Sequence, residues 1–316
     1  MHDELARIEW LKTRLEWDTE PAGLILGIGD DAAVFDFGSR PTIITVDTQV
    51  EGVHFRRDLI ACRDLGQRAV TAAASDVWAM GAMPSASTVA LTLPAELSEQ
   101  DFRELVEGVA DAARTTGARI IGGNLSEGQA LSVTTTVFGL PIGRPVTRAG
   151  ARPGESVYVT GTLGAAALGF AILEAQRTDL EHAEGFIERW RRPPFNGHAA
   201  KTLASVATAA VDVSDGCLQD LQHLCTASGV GATLHTDALP TEPGHSTAAR
   251  ALGLDATELA LAGGEDYELL FTAQASSDAE AVATKIGEIT EGHQVVVVDE
   301  AGQPVAVKTS GFRHFS

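Results

Sequence analysis

Gly27-Ile28-Gly29-Asp30-Asp31-Ala32-Ala33-Val34 sets two adjacent carboxylates on a glycine bend immediately before an apolar run. Neighbouring carboxylates repel, so one is pushed toward its neutral form unless a cation lies between them. A divalent metal is the commonest reason for keeping such a pair in a tight turn. Alone, the pair would read as a solvated acidic turn, because Asp and Gly are ordinary turn formers. The choice depends on whether other acids recur in similar settings, and Asp47, Asp76, Asp212 and Asp215 do. Each sits at an expected strand end, in a glycine turn or among small side chains. Asp215 by itself would serve equally as the cap of the helix expected after it. Six such acids spread over both halves of the chain are hard to explain as caps. They read as oxygen ligands for several hard cations, and Mg²⁺ characteristically shares a few carboxylates with substrate phosphates.

The chain has 316 residues, which suits two domains of ordinary size, and 44% of it is hydrophobic, as in a packed globular protein. Its formal net charge of −20 is spread along the whole sequence. Nucleic acid is therefore excluded as a partner, since a phosphate backbone requires a basic footprint. Cys62, Cys217 and Cys225 lack metal-ligand spacing and form an odd set, which fits a reducing compartment. The start of the chain shows no basic leader, and no apolar run approaches the roughly 20 residues of a membrane span. A cytoplasmic protein with no membrane partner is expected.

Periodicity predicts an amphipathic helix over residues 3–16 and a short strand over 43–46 that delivers Asp47 at its end. A small-residue helix is expected over 59–80, carrying Asp76 and stopping at Gly81. Strands follow over 88–93, 119–121 and 132–138, with a capped helix over 98–116 ending at Gly117. The Pro- and Gly-rich, basic stretch from Arg144 to Gly154 marks a domain boundary, giving domains 1–150 and 151–316. The second half restarts with a strand over 156–160, a glycine turn and an Ala-rich helix. A strand over 209–213 then ends in Asp212-Val213-Ser214-Asp215-Gly216, a helix over 218–227 stops at Gly229, and a glycine bend at Gly263-Gly264 feeds a strand. The class is α/β with at least one antiparallel pairing.

Metal-binding acids on a glycine-rich scaffold suggest a nucleoside triphosphate, yet no Gly-Lys-Ser or Gly-Lys-Thr cradle occurs and lysine is confined to Lys12, Lys201, Lys285 and Lys308. Phosphates would have to be met by metal ions, by backbone amides of glycine turns and by arginine, of which Arg148 is best placed. His54 stands without a second ligand at metal spacing, so it reads either as a structural histidine or as a substrate contact. Glu265-Asp266-Tyr267-Glu268 is the other dense acid group, and the glycine bend before it suggests close approach of a ligand to backbone.

Assembled in order, these residues resemble the thiamine-monophosphate kinase family almost end to end. The resemblance is carried by residues 27–33, by Asp47-Thr48 with Gly52 and His54-Phe55, and by Ser75-Asp76 with Ala79-Met80-Gly81-Ala82. It continues in Val159-Thr160-Gly161-Thr162, Asp212-Val213-Ser214-Asp215-Gly216, Gly263-Gly264-Glu265-Asp266-Tyr267-Glu268-Leu269 and Gly311-Phe312-Arg313-His314-Phe315. It implies the two-domain α/β (α+β) fold of the aminoimidazole ribonucleotide synthetase-like superfamily. The N-terminal sheets of two subunits would form a barrel across a homodimer. It also implies ATP as co-substrate, thiamine monophosphate as acceptor and several Mg²⁺ ions. The ligands it suggests are Asp30, Asp31, Thr45, Asp47, Asp76, Asn124, Asp212 and Asp215. Gly123, Asn124, Arg148 and Ser214 would contact ATP, while His54, Glu265 and Phe312 would line the acceptor site. Direct transfer between phosphates would leave the protein without a nucleophile of its own. Where the family usually shows Gly-Gly-Asp, this chain has Gly122-Gly123-Asn124, and an Asn carbonyl ligates Mg²⁺ without contributing charge. Beside this reading stand a divergent superfamily member with another acceptor and a noncatalytic Mg-ATP-binding protein; turnover separates them.

Overall fold

Two mixed sheets, each with helices packed on it, organise the chain. The computed structural model describes residues 23–26, 30–38, 40–308 and 311. The helix expected over 3–16, the Gly27-Ile28-Gly29 bend and Phe312 lie outside the described residues.

The first sheet contains β1 (Leu24–Leu26), β2 (Ala33–Asp36), β3 (Pro41–Val50), β4 (Ala82–Leu93), β5 (Arg119–Glu127) and β6 (Ser132–Pro141). Their order is β1-β2-β3-β6-β4-β5, and β4 with β5 is the parallel pair among antiparallel neighbours. Ile43, Val89, Leu91, Val133 and Val137 point to the helix-covered face, as the period of two requires. The helices on that face are α1 (Cys62–Ala79) and α2 (Glu99–Thr116).

Helix α2 is bounded as its sequence predicts. The Ser98 side chain accepts from the Asp101 amide at 3.0 Å, and Gly117 takes the left-handed conformation that ends the helix. Only one face of α2 is buried, through Leu105, Val109 and Ala112. Helix α1 is buried almost all round, because it packs on the sheet, on α2 and on the second half of the chain. Two glycines allow α1 and α2 to touch backbone to backbone. A Cβ on Gly108 would fall 1.9 Å from the Arg63 carbonyl oxygen, and one on Gly66 would fall 2.2 Å from that of Leu105.

Several expected strands run further than local pattern suggests, β3 and β5 among them. β3 continues past Val46 because Asp47 through Val50 pair with Thr135 through Ser132 of β6, so Asp47 lies within a strand and not at its end. β5 likewise takes in Gly122, Gly123 and Asn124, paired with Thr88, Val89 and Ala90. In both cases ladder hydrogen bonds to a distant neighbour outweigh the local glycine and acid signals.

The second half contributes β7 (Ser156–Val159), α3 (Ala165–Glu174), α4 (Ala183–Arg191), α5 (Gly197–Val206), β8 (Ala209–Asp212), α6 (Cys217–Ser228) and β9 (Gly231–His235). After these come α7 (His245–Ala251), α8 (Ala256–Ala262), β10 (Leu269–Ala273), β11 (Thr284–Thr290) and β12 (Val295–Val298). The strand order is β12-β9-β11-β7-β10-β8, with β9 and β12 parallel. β7, β8 and β10 are buried on both faces, which accounts for their uninterrupted runs of apolar and small residues. The halves share a core in which Ala74, Trp78 and Val146 pack with Tyr158, Leu203, Ala210 and Phe271. That shared core carries α1, and with it Asp76, up against the end of β8. Among the described residues no helix is long and apolar enough to cross a membrane, and the three cysteines are free and buried.

Candidate active site

Asp31 leads into β2, Asp76 sits in the last turn of α1 and Asp212 ends β8. One carboxylate oxygen from each lies within 4.8 Å of the others. Thr45, on β3, donates its hydroxyl to Asp76 Oδ2 at 2.5 Å. Arg148, from the connection between the halves, donates Nε to Asp31 Oδ1 at 2.9 Å and pairs with the same oxygen through Nη2. Its backbone amide reaches Asp30 Oδ2 at 3.0 Å, and Asp30 Oδ1 accepts from the Asp31 amide at 2.9 Å. Asp30 therefore shapes the bend, whereas Asp31 faces the cluster.

The electrostatics show a deficit of positive charge. Burial pushes Asp31 up to about 6, with Arg148 opposing and Asp30 adding to the rise. Burial and then the Asp31 charge push Asp212 up to about 7. Asp76 is driven well above the usual carboxylate range by burial, reinforced by Asp212 and Asp31. Among the described residues Arg148 is the one cation paired into the group, and the buried Asp31 Oδ2 has no hydrogen-bond partner. Three converging carboxylates, an orphaned oxygen and a neighbouring hydroxyl form a hard oxygen donor set, which fits Mg²⁺.

A cavity of 530 Å³ opens beside the cluster. Asp47, Asp76, Asp212, Ser214 and Asp215 contribute to its wall, as do His54, Phe55, Phe170, Trp190 and Glu265. Asp47 Oδ1 accepts from the Thr48 amide at 2.6 Å. His54 accepts from the Val50 amide through Nδ1 at 3.1 Å, which assigns the proton of a neutral ring to Nε2. Asp215 is not the cap of α6. Its Oδ2 accepts from Gln219 Nε2 at 3.0 Å, and Gly216 occupies the capping position.

The amides of Asp215 and Gly216 are held instead by the buried Asp220, whose Oδ2 accepts them at 3.1 and 3.0 Å. Sequence reading missed Asp220; its place in the first turn of α6, one turn beyond the acidic loop, was the available signal. Replacing it with alanine leaves the buried Gly216 donor and the half-buried Asp215 donor unpaired, at a cost of about 1–3 kcal/mol for the buried one. Asp220→Asn, which keeps the acceptor, should melt closer to the parent than Asp220→Ala, as differential scanning calorimetry would show.

The second acidic segment divides its labour. Glu265 and Tyr267 have φ of 70° and 50°, unusual for residues with a side chain. They are held there because their amides donate to the Ser214 and Val213 carbonyls at 2.7 and 2.8 Å, joining this loop to the one that bears Asp212 and Asp215. Asp266 turns inward and accepts the Gly164 and Ala166 amides at the start of α3. Glu268 is buried against Thr160, Asn196 and Arg189. Glu265 is the member of this acidic trio that lines the cavity.

Gly123 and Asn124 are not brought to the cluster. They stand on edge strand β5, in a shallow depression with Thr88, Ala90, Thr134 and Thr136, on the sheet face opposite the helices.

Comparisons with known proteins show which family the chain resembles. Residues 29–141 match the family described as AIR synthase related protein, N-terminal domain. The chain is 36% identical over 304 residues to the thiamine-monophosphate kinase of Escherichia coli strain K12, covering 92% of each chain. It is 38% identical over 287 residues to the thiamine-monophosphate kinase of Mycobacterium tuberculosis strain H37Rv, covering 89% of this chain and 84% of that one. The solved structure of AaThiL complexed with AMPPCP and TMP superposes with a TM-score of 0.88 at 31% identity, over 99% of this chain and 97% of the other.

Proposed function

The chain belongs to the thiamine-monophosphate kinase family, and from that premise we propose that it transfers the γ-phosphoryl group of ATP directly to the phosphate of thiamine monophosphate, giving thiamine diphosphate. The observation that carries this reading is the convergence of Asp31, Asp76 and Asp212 beside a cavity walled by Phe55, Phe170 and Trp190. One side of that site suits phosphates and the other an apolar ring system. The solved structure of a relative complexed with AMPPCP and TMP supports a nucleotide and a thiamine phosphate as the two occupants.

Asp31, Asp76 and Asp212 would hold Mg²⁺, with Asp47 and Asp215 on the same cavity wall as further ligands. When bound, Mg²⁺ supplies neutralisation of the charge spread over the phosphoryl oxygens. Thr45 holds the Asp76 carboxyl group in its orientation, and Asp30 with Arg148 holds Asp31. Ser214 and Arg148 are assigned to the nucleotide, His54, Glu265 and Phe312 to the acceptor. The acceptor phosphate, with a second pKa of about 6, is already largely ionised at neutral pH, so the protein has no need of a strong base or a nucleophile of its own. What remains for the side chains is to bring the two phosphates into line and exclude water.

We further propose a boundary near residue 150, cytoplasmic operation in keeping with the free thiols, and a homodimer formed through the open face of the first sheet. On that face Val46 of β3 is 62% and Leu140 of β6 38% exposed, with Thr134 and Thr136 on the same strand as Leu140. Gly123 and Asn124 stand on this face, so the dimer reading puts them at the interface.

The test is an assay of purified protein with Mg-ATP and thiamine monophosphate, with thiamine as the control acceptor and products separated by chromatography. Thiamine diphosphate formed from the monophosphate alone is expected. Binding of Mg-ATP without product would reject the reading in favour of another acceptor or a noncatalytic role.

A further inference from the structure

Arg68 takes no part in the phosphate chemistry described above, yet it is completely buried behind Gln49, Trp190 and Glu265 of the cavity wall. Burying a guanidinium is costly unless it is paired and its donors are satisfied. Here Nε donates to Gln49 Oε1 at 3.1 Å, Nη1 donates to the Trp190 carbonyl and Nη2 pairs with Glu265 Oε1. The guanidinium carbon also lies 5.4 Å from the Trp190 ring centroid and 5.9 Å from that of Tyr267. Gln49 belongs to the first half of the chain, whereas Trp190, Glu265 and Tyr267 belong to the second.

Glu265 is held from two sides, because its other oxygen accepts from Trp190 Nε1 at 2.9 Å. Its backbone sits in a left-handed conformation that a side chain does not favour. We propose that Arg68 is the positioning residue of the acceptor pocket. It fixes the Glu265 carboxylate and the Trp190 ring in one arrangement across the two halves, so that Glu265 meets the acceptor as a charge-compensated hydrogen-bond acceptor. A free anion at that position would draw any cation into the pocket, whereas a compensated one selects by hydrogen-bond geometry and by the fit of the aromatic wall. Lysine would restore the charge but lacks the planar fork that reaches Gln49, Trp190 and Glu265 together.

This inference rests on the proposed acceptor, and the experiment separates the two. Steady-state constants for Mg-ATP and for thiamine monophosphate are measured for the parent, Arg68→Lys and Arg68→Met, with melting temperatures taken on the same samples. Arg68→Met should raise the KM for thiamine monophosphate about tenfold or more while leaving that for Mg-ATP within about twofold. Arg68→Lys should recover part of the loss. The double variant Arg68→Met/Glu265→Gln, which removes both charges of the pair, should melt nearer the parent than Arg68→Met alone. Unchanged acceptor KM in Arg68→Met, or a parallel rise in both KM values, would overturn the positioning role. A parent enzyme that binds Mg-ATP but never phosphorylates thiamine monophosphate would overturn the acceptor assignment instead.

Discussion

Asp76→Asn should lower turnover by on the order of 10²–10³-fold while leaving the protein folded. Asparagine keeps the volume of the side chain and can still accept the Thr45 hydroxyl, which lies 2.5 Å from Asp76 Oδ2. What it removes is one of three carboxylates that meet within 4.8 Å. Each of these is pushed upward in pKa chiefly by burial and then by its neighbours, so without a cation the group is a liability to the folded state. The variant should therefore melt at a higher temperature than the parent in the absence of Mg²⁺, even as it loses activity. Such opposition between stability and activity is expected where like charges are held together for chemistry. Measurement of kcat with saturating ATP and acceptor, alongside calorimetric melting in chelator, checks both halves of the statement. Turnover within threefold of the parent would take Asp76 out of the mechanism.

The second large effect concerns pH. Asp31 is raised to about 6 and Asp212 to about 7 in the folded protein, above a carboxylate's ordinary value near 4. Between those limits the folded state binds more protons than the unfolded chain, so unfolding free energy falls as pH rises through this window and levels off above it. Half-buried His223, lowered to about 4 by desolvation, acts in the opposite sense below its ordinary value of 6.5. The carboxylate slope is therefore clearest from pH 6.5 to 8. In chelator the melting temperature should drop across that interval by on the order of 5 °C. Saturating Mg²⁺ should restore most of the loss at pH 8, since it binds the folded cluster and not the unfolded chain. A smaller residual slope is expected from Asp266 and Asp220, which are raised by burial but spend their oxygens on backbone amides. A flat metal-free profile would show that the three carboxylates are already neutralised by the protein.

The ends of the described helices and the unusual settings of several acids were legible because both depend on near neighbours in sequence. Ser98 and Gly117 bound α2 by local hydrogen bonding and a left-handed turn. Gly229 does the same for the end of α6, and the small-residue run of α1 announces a helix packed closely on several sides. Asp31, Asp76 and Asp212 were marked by their settings, and the order of motifs along the chain was enough to point to the family. Tertiary structure decided which of those acids meet. Asp31, Asp76 and Asp212 come from three elements that converge only after α1 packs against the core shared by the two halves. Pairing of β3 with β6 placed Asp47 inside a strand, and the pairing of β5 with β4 carried Asn124 onto the open sheet face. Asp220 and Arg68 were passed over for the same reason. An acid in a first helical turn and an arginine in a helix are unremarkable until burial removes water and forces each to find partners. Local propensity acts over a few residues, whereas register, burial and the meeting of distant charges are set by packing across the whole chain.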